Sequence, residues 1–270
     1  MTGVGISYGA ISVLNAIPCG IGSTIGVDLK TEAVFEPAND TVIDLIGRPG
    51  MDTALVETCV KRTLEAIGVK PVNYHLAVRT DIPPSKGLKS SSSVCNAVIC
   101  AVLDHFKVPM GNQDVIRLGV ECAKECKVTI TGAFDDACGC HLGGLVITNN
   151  TDCSLLRRES VPWYDVVIVN PDKEIPKNKV DVSKYHELKT VYEHLAHEIL
   201  EDPFKVLTEN GRYVASIIGM DDSVCREAME MGAVAAGVTG TGPAIAIVCE
   251  QAKTDEIARR FKDTIVYRVR

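Results

Sequence analysis

Along the first 36 positions, apolar residues tend to fall at every second place: Val4 and Ile6, Ile11 and Val13, then Ile25, Val27 and Leu29. That period marks strands with one buried face. Residues 41–46 and 73–80 repeat the strand pattern. Between them Leu55, Cys59, Leu64 and Ile67 recur at helical spacing and Gly68 ends the run, which predicts a helix over 52–67. A very apolar helix is expected over 91–106, opened by a run of serines, and an amphipathic helix over 113–126 capped by Asn112. Further on, residues 165–170 and 244–249 read as buried strands. Residues 185–201, 222–231 and 252–262 read as helices, and 264–269 as a final strand. Strands and helices in both halves predict an α+β fold of two sandwiches that share a cleft.

A polar cluster, Asn149-Asn150-Thr151-Asp152, marks the boundary between the two halves. Residues 1–152 are expected to form the N-terminal domain and 153–270 the C-terminal one, as a length of 270 allows. Hydrophobic residues make up 46% of the chain, which excludes a disordered polymer. The net charge of −7, with no basic stripe, argues against a nucleic-acid partner. No apolar run reaches the roughly 20 residues that span a bilayer, so no membrane partner is expected. The first residues lack the pattern of an export signal, so a cytoplasmic location is expected, with the eleven cysteines reduced.

Three segments carry candidate chemistry. In Pro83-Pro84-Ser85-Lys86-Gly87-Leu88-Lys89-Ser90-Ser91-Ser92-Ser93 a strand ends, a loop with glycine and two lysines follows, and an apolar helix begins. Unpaired N–H groups and the positive dipole end make such a helix start an anion site. Lys86 and Lys89 can neutralise phosphate charge, and a serine hydroxyl can ligate Mg²⁺. A plain Ser-rich helix cap gives the same pattern. Gly237-Val238-Thr239-Gly240-Thr241-Gly242 places three glycines between apolar runs, either for close approach to a ligand or for a tight turn. Thr131-Gly132-Ala133-Phe134-Asp135-Asp136-Ala137 sets two carboxylates among small and apolar neighbours, as a general base, a metal ligand or the acidic first turn of a helix. Glu121 and Glu125 precede it, one helical turn apart.

Two other classes leave traces. Gly5-Ile6-Ser7-Tyr8-Gly9 matches the Gly-x-Ser-x-Gly elbow of serine hydrolases, but such an elbow joins a strand to a helix, and strand-like residues follow this one. Cys122, Cys126, Cys138, Cys140 and His141 lie close in sequence but include no Cys-x2-Cys pair, so packed thiols are expected rather than zinc.

Pro83 to Ser91 resembles the second motif of the GHMP kinases, the superfamily of galactokinase, homoserine kinase, mevalonate kinase and phosphomevalonate kinase. Gly240-Thr241-Gly242-Pro243-Ala244 resembles their third motif, and residues 9–22 lie where the first is found. The wording Thr-Gly-Ala-Phe-Asp-Asp-Ala and Gly-Leu-Lys-Ser-Ser-Ser is similar to one branch, the archaeal-type shikimate kinases. The resemblance implies the two-domain GHMP kinase fold, with an S5-like N-terminal domain and a ferredoxin-like C-terminal domain. It implies ATP as phosphoryl donor, bound by residues 83–93 and by Gly240, Thr241 and Gly242, and shikimate as acceptor at its 3-hydroxyl. Homoserine or another small alcohol is the alternative acceptor. Ser91 would ligate Mg²⁺ with Glu125, whose spacing fits better than that of Glu121. Asp135 would be the catalytic base, with Asp136 as close rival. Lys30, Arg48 and Arg79 are candidates for the substrate carboxylate. One departure stands out: no lysine or arginine precedes Lys30, so the lysine that accompanies the base in the first motif of mevalonate kinase has no counterpart.

Overall fold

The computed structural model describes residues 2–171, 175 and 180–270. Its first sheet is built on a long strand, β2 (Ile21–Pro37), which runs antiparallel to β1 (Gly3–Leu14). The early part of β2 also pairs with β5 (Leu145–Asn149) and its last part with β4 (Tyr74–Thr80). β3 (Val42–Leu45) adds parallel to β4, and β6 (Ser154–Glu159) adds antiparallel to β5. Helices α1 (Ala54–Ala66), α2 (Ser90–Phe106), α3 (Asn112–Glu125) and α4 (Phe134–Leu142) complete this half. The apolar run of α2 is buried almost throughout because it lies directly against β1. A Cβ on Gly5 would stand 1.9 Å from the Ala97 carbonyl oxygen, and one on Gly3 2.2 Å from that of Ala101. Gly5 of the hydrolase-like motif thus serves helix–strand packing. Ser7 lies inside β1, opposite Thr31, with its hydroxyl donating to the Cys140 carbonyl. There is no strand-to-helix elbow, and the hydrolase reading falls.

The second sheet has the order β10 (Thr264–Arg268), β7 (Asp165–Val169), β9 (Ile245–Cys249), β8 (Ala235–Val238), antiparallel throughout. With α7 (Pro203–Ile217) and α9 (Gln251–Arg260) it makes a β-α-β-β-α-β unit of the ferredoxin-like kind. Three further helices, α5 (Val182–His186), α6 (Lys189–Glu198) and α8 (Ser223–Glu230), belong to this half.

Several expectations shift. The helix read over 185–201 is two, because the chain turns at Glu187–Leu188. The sequence pattern assigns no element to 203–217, where α7 lies. The amphipathic helix α3 is capped by the extended Gly111 and not by Asn112, whose side chain reaches His141. β6 belongs to the first sheet, so that sheet runs past the expected boundary at 152 as far as Glu159. The two sheets also share a core: Ile11, Val13, Ile25 and Val27 pack with Val166, Ile168, Leu207 and Val248. Residues 268–270 return to the first sheet. Val269 bridges to Val27, and the Arg270 N–H donates to the Gly26 carbonyl. Among the described residues no helix is long and apolar enough to cross a membrane.

Candidate active site

The loop from β4 to α2 is folded against the glycine turn after β8. Gly87 has φ +87°, and a Cβ there would lie 2.1 Å from the Thr239 carbonyl oxygen. The Thr239 hydroxyl accepts from the Ser12 N–H at 2.8 Å and donates to the Gly87 carbonyl at 3.4 Å. Asn15, just past the end of β1, donates to the Gly240 carbonyl at 2.8 Å, and its own N–H donates to Asn210 on α7. The end of β1, the loop and the glycine turn therefore form one hydrogen-bonded wall. In front of it is a cleft lined by Asn15, Ser85, Gly87, Lys89, Ser90, Ser91, Gly240 and Thr241, faced by Thr131, Asp135 and Asp136.

α2 starts at this wall with no side-chain cap, its N-cap Lys89 in the left-handed region at φ +67°. Its first N–H groups carry the dipole's positive end and await an acceptor, which is the condition for binding an anion. Of the other serines, Ser92 and Ser93 are buried behind the helix start. A second, apolar pocket lies on the far side of the loop. Leu45, Ile46, Met51, Leu55, Val78 and Val94 line it, and it shares Ser85, Ser90 and Ser91 with the cleft. Pro84 belongs to this second pocket.

The two carboxylates come from the first turn of α4, and both reach the cleft although they are adjacent. Asp135 is 5% exposed; its Oδ1 accepts from the Asn150 amide at 2.7 Å. Burial, and then the charge of Asp136, push its carboxyl up to about 6, against the pull of Lys89 and of Asn150. Asp136 pairs with Lys89, whose Nζ stands 2.8 Å from its Oδ1 and 2.6 Å from the Ser12 hydroxyl. Burial alone would lower the Lys89 ammonium, but Asp136 and Asp135 outweigh it and hold Lys89 above its ordinary value. Asp135 needs the space left by Gly22, where a Cβ would lie 2.6 Å from its carboxyl carbon. Gly22→Ala is expected to lower turnover at least tenfold by moving this carboxylate, with the KM for ATP unchanged in steady-state kinetics.

Other expected site residues lie elsewhere. The Lys86 ammonium donates to the Pro171 carbonyl and does not line the cleft, whereas Lys89 lines it with its ammonium on Asp136 and Ser12. Gly242 is turned towards Ile218 and Val238. Glu125 does not line the cleft. Half-exposed, it faces Arg62 of α1 at 3.7 Å, and Glu121 faces the same arginine at 3.6 Å. Lys30 pairs with Glu32, Arg48 donates to the Ile82 carbonyl beside the apolar pocket, and Arg79 is exposed on β4, so none of the three lines the cleft. All eleven cysteines are free, and among the described residues no His, Cys, Asp or Glu group is arranged to hold a metal. Asn150 and Ser12 are site residues that sequence reasoning missed. Asn150 reads in the sequence only as part of a polar turn and Ser12 only as part of the first-motif region, and neither shows which side chain it holds until the chain folds.

The models of the GHMP kinases N-terminal domain and of the GHMP kinases C-terminal region match residues 54–144 and 194–266. The chain belongs to the GHMP kinases. Within that class its curated relatives include the shikimate kinase of Methanobrevibacter smithii, 33% identical over 263 residues that cover 93% of this chain and 89% of the relative. The shikimate kinase of Methanosarcina acetivorans is 35% identical over 256 residues, covering 93% and 86%. Solved structures that share the fold include the mevalonate kinase of Methanococcus jannaschii, with a TM-score of 0.81 at 16% identity over 99% and 97% of the two chains, and a homoserine kinase from Cytophaga hutchinsonii, with 0.73 at 17% over 99% and 94%.

Proposed function

We propose that this protein transfers the γ-phosphoryl group of ATP to the 3-hydroxyl of shikimate, giving shikimate 3-phosphate and ADP. The observation that carries the reading is the uncapped start of α2 facing two buried carboxylates across one cleft. The full-length likeness to shikimate kinases supports the choice of acceptor. The adenine and ribose occupy the apolar pocket, and the phosphates pass Ser85, Ser90 and Ser91 into the cleft. The helix start and the loop amides hold the phosphates. Asp135 orients the acceptor hydroxyl and takes its proton as the oxygen attacks the γ-phosphorus and the bond to ADP breaks. Mg²⁺ suits the hard oxygen donors at this place. Ser91 would hold it, and the nucleotide's own phosphates would be its main ligands. Bound there, it would neutralise charge on the β- and γ-phosphates.

The deciding experiment is coupled ADP release with shikimate, homoserine and mevalonate in parallel. Shikimate alone is expected to drive release, and a preference for either other alcohol would replace the acceptor. Ser91→Ala is expected to reduce turnover about tenfold or more at limiting Mg²⁺ and to recover partly at high Mg²⁺. An unchanged rate at limiting Mg²⁺ removes Ser91 from the cation.

A further inference from the structure

Lys89 lies where three elements meet. Its Nζ bonds Ser12 of β1 and Asp136 of α4, and a Cβ on Gly240 would lie 3.2 Å from it. Among the described residues, Lys89–Asp136 is the ion pair in which both side chains are buried, at 6% and 11% exposure. A buried pair of this kind is weak evidence for added stability, so its worth lies in what it positions. The loop lysine thus stands beside the carboxylates even though no lysine or arginine precedes Lys30 in the chain.

We propose that Lys89 is a positioning residue for phosphoryl transfer: anchored on Ser12, it holds Asp136 as a fixed counter-charge, so that Asp135 alone serves as proton acceptor. This rests on the kinase reading of the cleft. Among the described residues, the charged groups that face Asp135 are Asp136 on its own helix and Lys89 from the loop. From the turn between β5 and β6 the Asn150 amide faces it, and the thiols of Cys138 and Cys140 on α4 are pushed up by burial and stay neutral. Two adjacent buried carboxylates resist double ionisation. With Asp136 neutralised by Lys89, Asp135 is, among the described residues of the cleft, the carboxylate left to take the proton from the acceptor hydroxyl.

The test is the pH profile of kcat/KM for shikimate, run on wild type, Lys89→Met, Asp136→Asn and the double variant, with the KM for ATP measured alongside. The wild type is expected to lose activity as pH falls through about 6, where Asp135 takes up its proton. Lys89→Met should shift that acid limb upward by about one pH unit and lower kcat at pH 7 about tenfold or more, with the KM for ATP changed less than about threefold. Asp136→Asn leaves Lys89 beside Asp135, so its limb should move downward. The double variant removes both charges and should return the limb to the wild-type position. Should Lys89→Met fail to fold with Asp136 unpaired, the downward shift in Asp136→Asn and its reversal on adding Lys89→Met in the double variant carry the test. An acid limb that stays put in all variants, or a Lys89→Met defect seen chiefly as a raised KM for ATP, overturns the proposal. A wild type that releases no ADP with any alcohol overturns the kinase reading instead, and this inference with it.

Discussion

Asp135→Asn is expected to lower turnover by about 10²–10⁴-fold, the usual loss when a general base is removed. The change keeps the shape of the side chain, and the amide oxygen can still accept from Asn150, so the fold should survive. ATP binding by calorimetry should persist, because the proposed phosphate contacts come from the loop and the helix start and not from α4. Stability should move the other way. The carboxyl of Asp135 titrates at about 6 in the folded chain against an ordinary value of 3.8. A raised carboxylate favours the folded state at low pH, and that contribution is lost as pH rises through 6. The asparagine variant escapes this loss, so it should melt higher than wild type at pH 7–8, with the advantage gone below about pH 4. Near-wild-type turnover in this variant would remove Asp135 from the chemistry. A dead Asp136→Asn beside an active Asp135→Asn would move the base by one residue.

Gly87→Ala is expected to be the most damaging change outside the carboxylates. Its backbone sits at φ +87°, where a Cβ is strained, and that Cβ would meet the Thr239 carbonyl oxygen at 2.1 Å. Strain and overpacking each cost about 1–3 kcal/mol. The loop cannot yield without losing Thr239 and Gly240, so the KM for ATP should rise at least tenfold while the melting temperature falls. Gly68, which has a positive φ but nothing within 4 Å of where a Cβ would stand, is the control: Gly68→Ala bears the strain alone and should leave kinetics unchanged.

What could be read from the sequence was whatever a short window contains. The start of α2 could be read because an apolar run, a serine cluster and a glycine loop stand together. The helix over 203–217 could not, because Asn210-Gly211 at its centre has the form of a turn. Gly211 is there so that α7 can lie against β8, where a Cβ would come within 2.3 Å of Gly237 Cα. The two carboxylates were visible as an odd pair, but their separate roles depend on Asn150 and Lys89, which reach them only in the folded chain. Glu125 follows from the family's spacing after the second motif, and spacing does not reveal that Arg62 lies on the helix beside it.

The bridge between Val27 and Val269 has a consequence for how the chain is made. Its partners are separated by roughly 240 residues, so their pairing closes one of the longest loops the chain can form, and such closures come late. As the chain leaves the ribosome, β1, β2, β4 and α2 can assemble early, while the contacts of Gly26 and Val27 with residues 268–270 come last. A nascent chain stalled before that point should resist proteases over β1, β2 and β4 yet show faster amide hydrogen exchange around Gly26 and Val27, where residues 268–270 would lie.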